Sequence, residues 1–158
     1  AHPAIAERMG RALAERCPGR PLDFVTAPAL GGLIIGHEVA RALGCPFLFT
    51  ERDASSGGMA LRRGFTLAPG ARGIVVEDVI TTGGSTRETI AAIATAGGTI
   101  VGAGSIIDRS GGSVDLGLPR VALATLTVET WPAEACPLCA AGQPLVKPGS
   151  RKSGASQS

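Results

Sequence analysis

One stretch of the chain concentrates residues that could do chemistry: Val75-Val76-Glu77-Asp78-Val79-Ile80-Thr81-Thr82-Gly83-Gly84-Ser85-Thr86. Its two halves ask for different partners. Thr81, Thr82, Ser85 and Thr86 supply hydroxyls, and Gly83 and Gly84 let backbone N–H groups approach a ligand with no Cβ in the way. A helix beginning there would offer free N–H groups and a dipole that favour an anion. Glu77 and Asp78 would repel that anion unless they hold hydroxyls or a cation. A ribose 5-phosphate satisfies both halves, with its 2′ and 3′ hydroxyls on the acids and its phosphate in the turn. The string is not a Walker loop, which needs Gly-Lys-Ser/Thr. Nor is it a dinucleotide fingerprint, because the acids precede the turn and the glycines are wrongly spaced. Thr-Gly-Gly-Ser alone reads as an ordinary strand-to-helix turn; the Glu-Asp before it sets this one apart.

These residues need a frame. Ile74-Val75-Val76 is a continuous apolar run, the mark of a strand buried on both faces, and its end carries Glu77 and Asp78. The turn at 81–85 then opens a helix to about Ala96, closed by Gly97-Gly98. The same alternation repeats on either side. Residues 4–16 place Ile5, Met9 and Leu13 on one helical face, and Cys17-Pro18-Gly19-Arg20-Pro21 ends that helix. Residues 22–26 predict a short strand, 27–32 a turn, and 32–43 a helix with Gly44 as its C-cap. Residues 46–50 predict a strand, 51–58 a polar mobile loop, and 59–67 a small hairpin turning at Gly64. Two more strands follow at 99–107 and 121–128. Strands alternating with helices predict an α/β fold with a parallel, doubly wound sheet. Ligands of such sheets sit beyond the carboxyl ends of the strands, where strand order reverses. Each polar motif here falls at such an end.

Composition agrees. The chain has 158 residues, enough for one domain with a substantial core, and with 3% aromatic residues that core must be aliphatic. A net charge of +2 with scattered basic residues argues against a nucleic-acid partner. No apolar run reaches the roughly 20 residues that span a bilayer, and no secretory signal opens the chain. A cytoplasmic protein with no membrane partner is expected. In that setting Cys17, Cys45, Cys136 and Cys139 do not suggest a disulfide framework. Cys136-x-x-Cys139 reads as a reduced structural pair, half of a zinc site, or a redox pair; zinc would need two further ligands. His37 reads as a partly buried helix residue. The opening Ala1-His2-Pro3-Ala4 reads like the middle of a protein.

Taken whole, residues 75–86 resemble the signature of type I phosphoribosyltransferases. Within that superfamily the chain is most similar to the orotate phosphoribosyltransferase family. The supporting words are Phe24-Val25-Thr26-Ala27-Pro28-Ala29-Leu30-Gly31-Gly32, Thr50-Glu51-Arg52, Leu61-Arg62-Arg63-Gly64, Ile107-Asp108-Arg109-Ser110 and Glu134-Ala135-Cys136-Pro137-Leu138-Cys139. The resemblance implies a Rossmann-like parallel sheet flanked by helices, with a phosphoribosyltransferase domain over residues 1–148 and a disordered tail over 149–158. It implies transfer of ribose 5-phosphate from phosphoribosyl pyrophosphate to orotate, in pyrimidine biosynthesis. Mg²⁺ would ride on the substrate with no direct protein ligand, and the chain would form a homodimer with shared sites.

Roles follow residue by residue. Phosphoribosyl pyrophosphate would be bound by Glu77, Asp78, Val79, Ile80, Thr81, Thr82, Gly83, Gly84 and Ser85, with Glu77 and Asp78 also catalytic. Leu30 and Gly31 match the pyrophosphate loop, where many relatives carry Tyr-Lys. Thr81 and Arg109 match the contacts to orotate. A planar guanidinium suits the orotate carboxylate; the other reading of Arg109 is a surface ion pair with Asp108. The catalytic loop at 51–58 is short and lacks the usual lysine and histidine, leaving Arg52 as its catalytic cation, with Arg62 and Arg63 next. The other reading of Arg62-Arg63 is a solvated hairpin edge. The family's N-terminal segment, which forms a hood over orotate, has no match in this chain, so the hood is expected to be missing or incomplete. Two alternatives stay open: a phosphoribosyltransferase for another base, and a non-catalytic regulator that binds phosphoribosyl pyrophosphate.

Overall fold

A computed structural model describes residues 2–55, 57–129 and 131–144. By internal contact the chain divides into residues 1–128 and 129–158. In the first unit the elements follow in the order α1 (Pro3–Arg16), β1 (Phe24–Pro28), α2 (Gly32–Leu43), β2 (Phe47–Arg52), β3 (Met59–Leu61), β4 (Arg72–Ile80), α3 (Gly84–Thr95), β5 (Thr99–Asp108) and β6 (Arg120–Thr125). They build a six-stranded sheet in the order β3-β2-β1-β4-β5-β6. The expected parallel sheet is present with one exception: the edge strand β3 runs antiparallel to β2, because a short connection returns the chain directly. Strand order reverses between β1 and β4, which pair through Phe24↔Gly73, Val25↔Ile74 and Thr26↔Val75. The carboxyl ends of these two strands flank the crevice where such folds bind ligands.

Strand periodicity explains the apolar run in β4. Val25, Ile74 and Val76 pack with Leu13, Ile35 and Val39 under α1 and α2. Phe24, Leu48, Val75 and Ala103 pack with Ile93 of α3. Because both sheet faces are covered, β4 shows no polar alternation until Glu77. Gly44 closes α2 in the left-handed conformation, as its sequence position suggests.

Several boundaries differ from expectation. β1 covers Phe24–Pro28 rather than 22–26, so Ala27 and Pro28 are strand rather than turn. Pro28 is tolerated because the β4 ladder has stopped at Thr26, while β2 pairing continues to Pro28↔Thr50. Glu51 and Arg52 also belong to a strand, held by Glu51↔Ala60 and Arg52↔Met59. The hairpin is therefore β2–β3, and its turn is residues 53–58. Residues 59–67 do not form a hairpin of their own: the left-handed pair Arg63 (φ 62°) and Gly64 (φ 75°) leads the chain away after β3. β4 extends to Ile80 because β5 pairs with it as far as Ile80↔Asp108, so Glu77 and Asp78 lie inside the strand. β6 starts at Arg120 and ends at Thr125; beyond it the Leu126 N–H donates to Asp108 O at 2.7 Å, Leu126 O accepts the Gly111 N–H at 3.1 Å, and Thr127 bridges to Ser110.

The second unit carries a short 3-10 turn, Ala133–Ala135, and the one-turn helix α4, Pro137–Ala140. The tail expected at 149–158 lies outside the described residues. Among those described, no helix is long and apolar enough to cross a membrane.

Candidate active site

β4 carries Glu77 to the carboxyl edge of the sheet on the face covered by α3. Strand alternation points it that way together with Val75, so its carboxylate meets the first turn of the helix. Glu77 is buried, with 6% of its surface exposed. Ser85 Oγ donates to one of its oxygens at 3.3 Å, and Thr86 Oγ1 donates to the other. Burial pushes the Glu77 carboxyl above its usual range, and the two hydroxyl bonds only partly oppose this. Around the acid, Thr50 Oγ1 and Thr89 Oγ1 share a bond of 2.9 Å, while the buried hydroxyls of Thr26 and Ser105 have no hydrogen-bond partner among the described residues. The region beneath the start of α3 is thus a polar pocket in an otherwise aliphatic core.

The turn that follows is shaped for an anion. Gly83 takes φ 75°, and a Cβ there would come within 2.9 Å of both Val114 and Leu116, so conformation and space each require glycine. No side chain caps α3, which leaves its first N–H groups available. A cavity of about 70 Å³ opens here, lined by Glu77 and residues 79–86. A larger one, of about 390 Å³, lies among Arg11, Arg20 and Arg41 at the ends of α1 and α2 and shares no residue with it. The smaller cavity is the candidate because the convergent hydroxyls, amides and acid are there.

Two further loops close on this turn. The chain leaves β1 through Ala29–Gly32, with a cis peptide between Ala29 and Leu30. A Cβ on Gly31 would lie 2.6 and 2.7 Å from the two carboxylate oxygens of Asp78. The half-buried Asp78 therefore rests against the β1 loop, and its Oδ1 accepts the Val79 N–H at 2.9 Å. From the other side, Arg109 leaves β5 with its N–H donating to Ile80 O at 2.8 Å and its side chain exposed. The expected alternative for Arg109, an ion pair with Asp108, is not formed. Asp108 is 1% exposed and is taken by Arg120 Nη1 at 2.6 Å and by the N–H and hydroxyl of Ser110 at 2.8 and 2.6 Å. Burial raises the Asp108 carboxyl, but these bonds outweigh it and hold it at about 2.

The phosphoribosyl transferase domain model matches residues 1–116 of the chain. The orotate phosphoribosyltransferase of Pelotomaculum thermopropionicum is 53% identical over 151 residues, covering 96% of this chain and 78% of the relative. The chain belongs to the orotate phosphoribosyltransferase family. The orotate phosphoribosyltransferase of Caldanaerobacter subterraneus is 48% identical over the same shares of both chains. Among solved structures, orotate phosphoribosyltransferase from Aeropyrum pernix superposes with a TM-score of 0.57 at 25% identity, over 75% of this chain and 71% of that one.

Within this family fold, Glu77–Ser85, Leu30–Gly31 and Arg109 gather at one edge of the sheet. The three loop cations do not line the cavity. Arg52 makes an ion pair of 3.0 Å with Glu88 of α3 and donates to Gly57 O. Arg63 grips Glu51 with two bonds, of 2.6 and 2.8 Å. Arg62 is exposed on the same hairpin. Sequence reasoning missed Arg87, whose guanidinium donates to Thr82 O at 2.7 Å and to Asp115 O at 2.6 Å, tying the phosphate turn to the loop after β5. It also missed Arg120. Arg87 reaches across to Asp115 and Arg120 back to Asp108 on the neighbouring strand, contacts that no local pattern marks.

Proposed function

We propose that this chain transfers the 5-phosphoribosyl group of phosphoribosyl pyrophosphate to orotate, giving orotidine 5′-monophosphate and pyrophosphate. One observation carries the reading: the acid Asp78 touches the Gly31 loop while its own strand feeds the Gly83 turn. A sugar bearing a phosphate at one end and a diphosphate at the other fits between those loops. The phosphate takes the amides and hydroxyls of residues 81–85, the diphosphate takes the backbone at 29–32, and Glu77 and Asp78 face the ribose hydroxyls. Arg109 takes the orotate carboxylate, with Thr81 beside it.

In the reaction the bond from C1 to pyrophosphate breaks, and its electron pair departs with the leaving group. A ring nitrogen of orotate forms the new bond to C1. Positive charge on the ribose in between is favoured by the nearby carboxylates, which are positioned before the step and need no rearrangement. The cations Arg52 and Arg62 would reach the leaving group only by movement of the β2–β3 hairpin. Mg²⁺ would be carried on the diphosphate, held by phosphate oxygens and water with no direct protein ligand, and the half-buried Asp78 beside the diphosphate loop would add its charge nearby. When bound, the ion neutralises diphosphate charge. The same reading assigns residues 1–148 to the transferase domain and makes the chain a cytoplasmic homodimer.

Turnover of phosphoribosyl pyrophosphate with orotate, adenine, guanine and uracil, with and without Mg²⁺, tests this. Selective, Mg²⁺-dependent consumption of orotate is expected, and Asp78→Asn should lower kcat/KM about a hundredfold. Turnover with a purine instead would reassign the base. Binding without turnover on any base would make the chain a regulator.

A further inference from the structure

Cys136 and Cys139 lie outside the site described above and outside the unit that holds it. Cys136 is the N-cap of α4, with extended backbone (φ −77°, ψ 117°), and Cys139 lies in the single turn that follows. That turn is well closed: Ala140 N–H donates to Cys136 O at 3.0 Å, and Gly142 N–H to Cys139 O at 3.0 Å. The spacing folds the two side chains onto one another. Cys136 and Cys139 stand three residues apart on that one turn, both as free thiols. Cys136 is half-buried and Cys139 exposed, so a small molecule reaches both.

We propose that Cys136 and Cys139 form a dithiol that exchanges with small disulfides, closing reversibly into an intrachain Cys136–Cys139 bond. The two sulfurs have different tasks. Hydrogen bonds from the Cys139 N–H and thiol favour ionisation of Cys136, whose pKa lies below the ordinary thiol value, while Cys139 is shifted the other way, so Cys136 is the more readily ionised of the two. Cys136 thiolate attacks a disulfide RSSR, forming a Cys136–SR bond and releasing RS⁻. Cys139 then loses its proton and attacks the Cys136 sulfur, expelling the second RS⁻. The protein loses two hydrogens and the small disulfide becomes two thiols. The other two cysteines serve as internal controls: Cys17 is 6% exposed and burial pushes its thiol up to about 11. Among the described residues no group of three or more His, Cys, Asp or Glu gathers.

The whole chain, equilibrated with glutathione and its disulfide at several ratios, gives the test by thiol titration and peptide mass mapping. Two of the four cysteines should be lost together. A single peptide should carry both residues, lighter by two hydrogens, and excess glutathione should restore them. Cys139→Ser should trap glutathione on Cys136, and Cys136→Ser should leave Cys139 far less reactive. Stoichiometric zinc that shields the pair in the purified protein would overturn the proposal. So would stable glutathione adducts on the unaltered chain, or disulfides only between chains.

Discussion

At the level of single residues, two contacts decide the most. Gly31 has ordinary helical backbone angles (φ −58°, ψ −42°), so replacing it costs no backbone strain; what it lacks is room beside Asp78. Gly31→Ala should therefore displace the Asp78 carboxylate and leave folding nearly intact. A displacement near 1 Å in a positioned group can cost on the order of a hundredfold in rate. The expected outcome is kcat/KM for phosphoribosyl pyrophosphate down at least about tenfold with melting temperature little changed, read by steady-state kinetics and thermal melts. Asp108 is the second. Its folded pKa, about 2, lies below the usual aspartate value of 3.8, so it stabilises the fold above pH 4 and that contribution fades as pH falls toward 2. The gap corresponds to about 2 kcal/mol. Asp108→Asn should lose roughly that much stability at pH 7 and show a flatter decline between pH 4 and 2, measured by urea unfolding.

Between elements, the approach of α1 to α2 and the tie between α3 and the loop after β5 matter most. A Cβ on Gly10 would meet the Glu38 Cβ at 2.5 Å and its carbonyl carbon at 2.8 Å. Gly10→Ala gains about 1 kcal/mol of helix propensity, but the clash is with backbone, and overpacking costs about 1–3 kcal/mol. A net loss of about 1 kcal/mol is expected in chemical unfolding, with kinetic constants unaltered. Arg87 acts differently, because its two bonds join the phosphate turn to residue 115. Arg87→Met should cost about 1–2 kcal/mol and raise KM for both substrates, since each side of the tie then drifts. A change in stability alone would limit Arg87 to a structural part.

For the molecule as a whole, substrate should stabilise the fold it bridges. Phosphoribosyl pyrophosphate at a hundred times its Kd contributes about 2.7 kcal/mol, a rise in melting temperature of roughly 5–10 °C for a chain of this size. Asp78→Ala should abolish that rise, as differential scanning fluorimetry would show. Much of this architecture was legible in the sequence. Ile74-Val75-Val76 announced a doubly covered strand, and Glu77-Asp78 followed by Gly83-Gly84 announced what the strand delivers. The β2–β3 hairpin was illegible, because Met59-Ala60-Leu61 has no alternation and its turn looks like any polar loop. The ion pair with Asp108, the other reading of Arg109, does not form, because the fold brings Arg120 across from β6 to Asp108 instead. Tertiary pairings of that kind depend on register, which no short window contains.

The strand-order reversal divides labour across the sheet. Everything proposed to hold the sugar phosphate comes from the central strands β1 and β4 and the start of α3, while the proposed charged contact to the base, Arg109, comes from the loop beyond β5, with Thr81 of the phosphate turn beside it. The handle and the cargo are thus gripped by separable parts of one scaffold. Changing Arg109 itself, rather than the segment whose Asp115 carbonyl steadies the phosphate turn through Arg87, would be the economical route to a transferase retargeted to another nucleobase, with its donor affinity preserved.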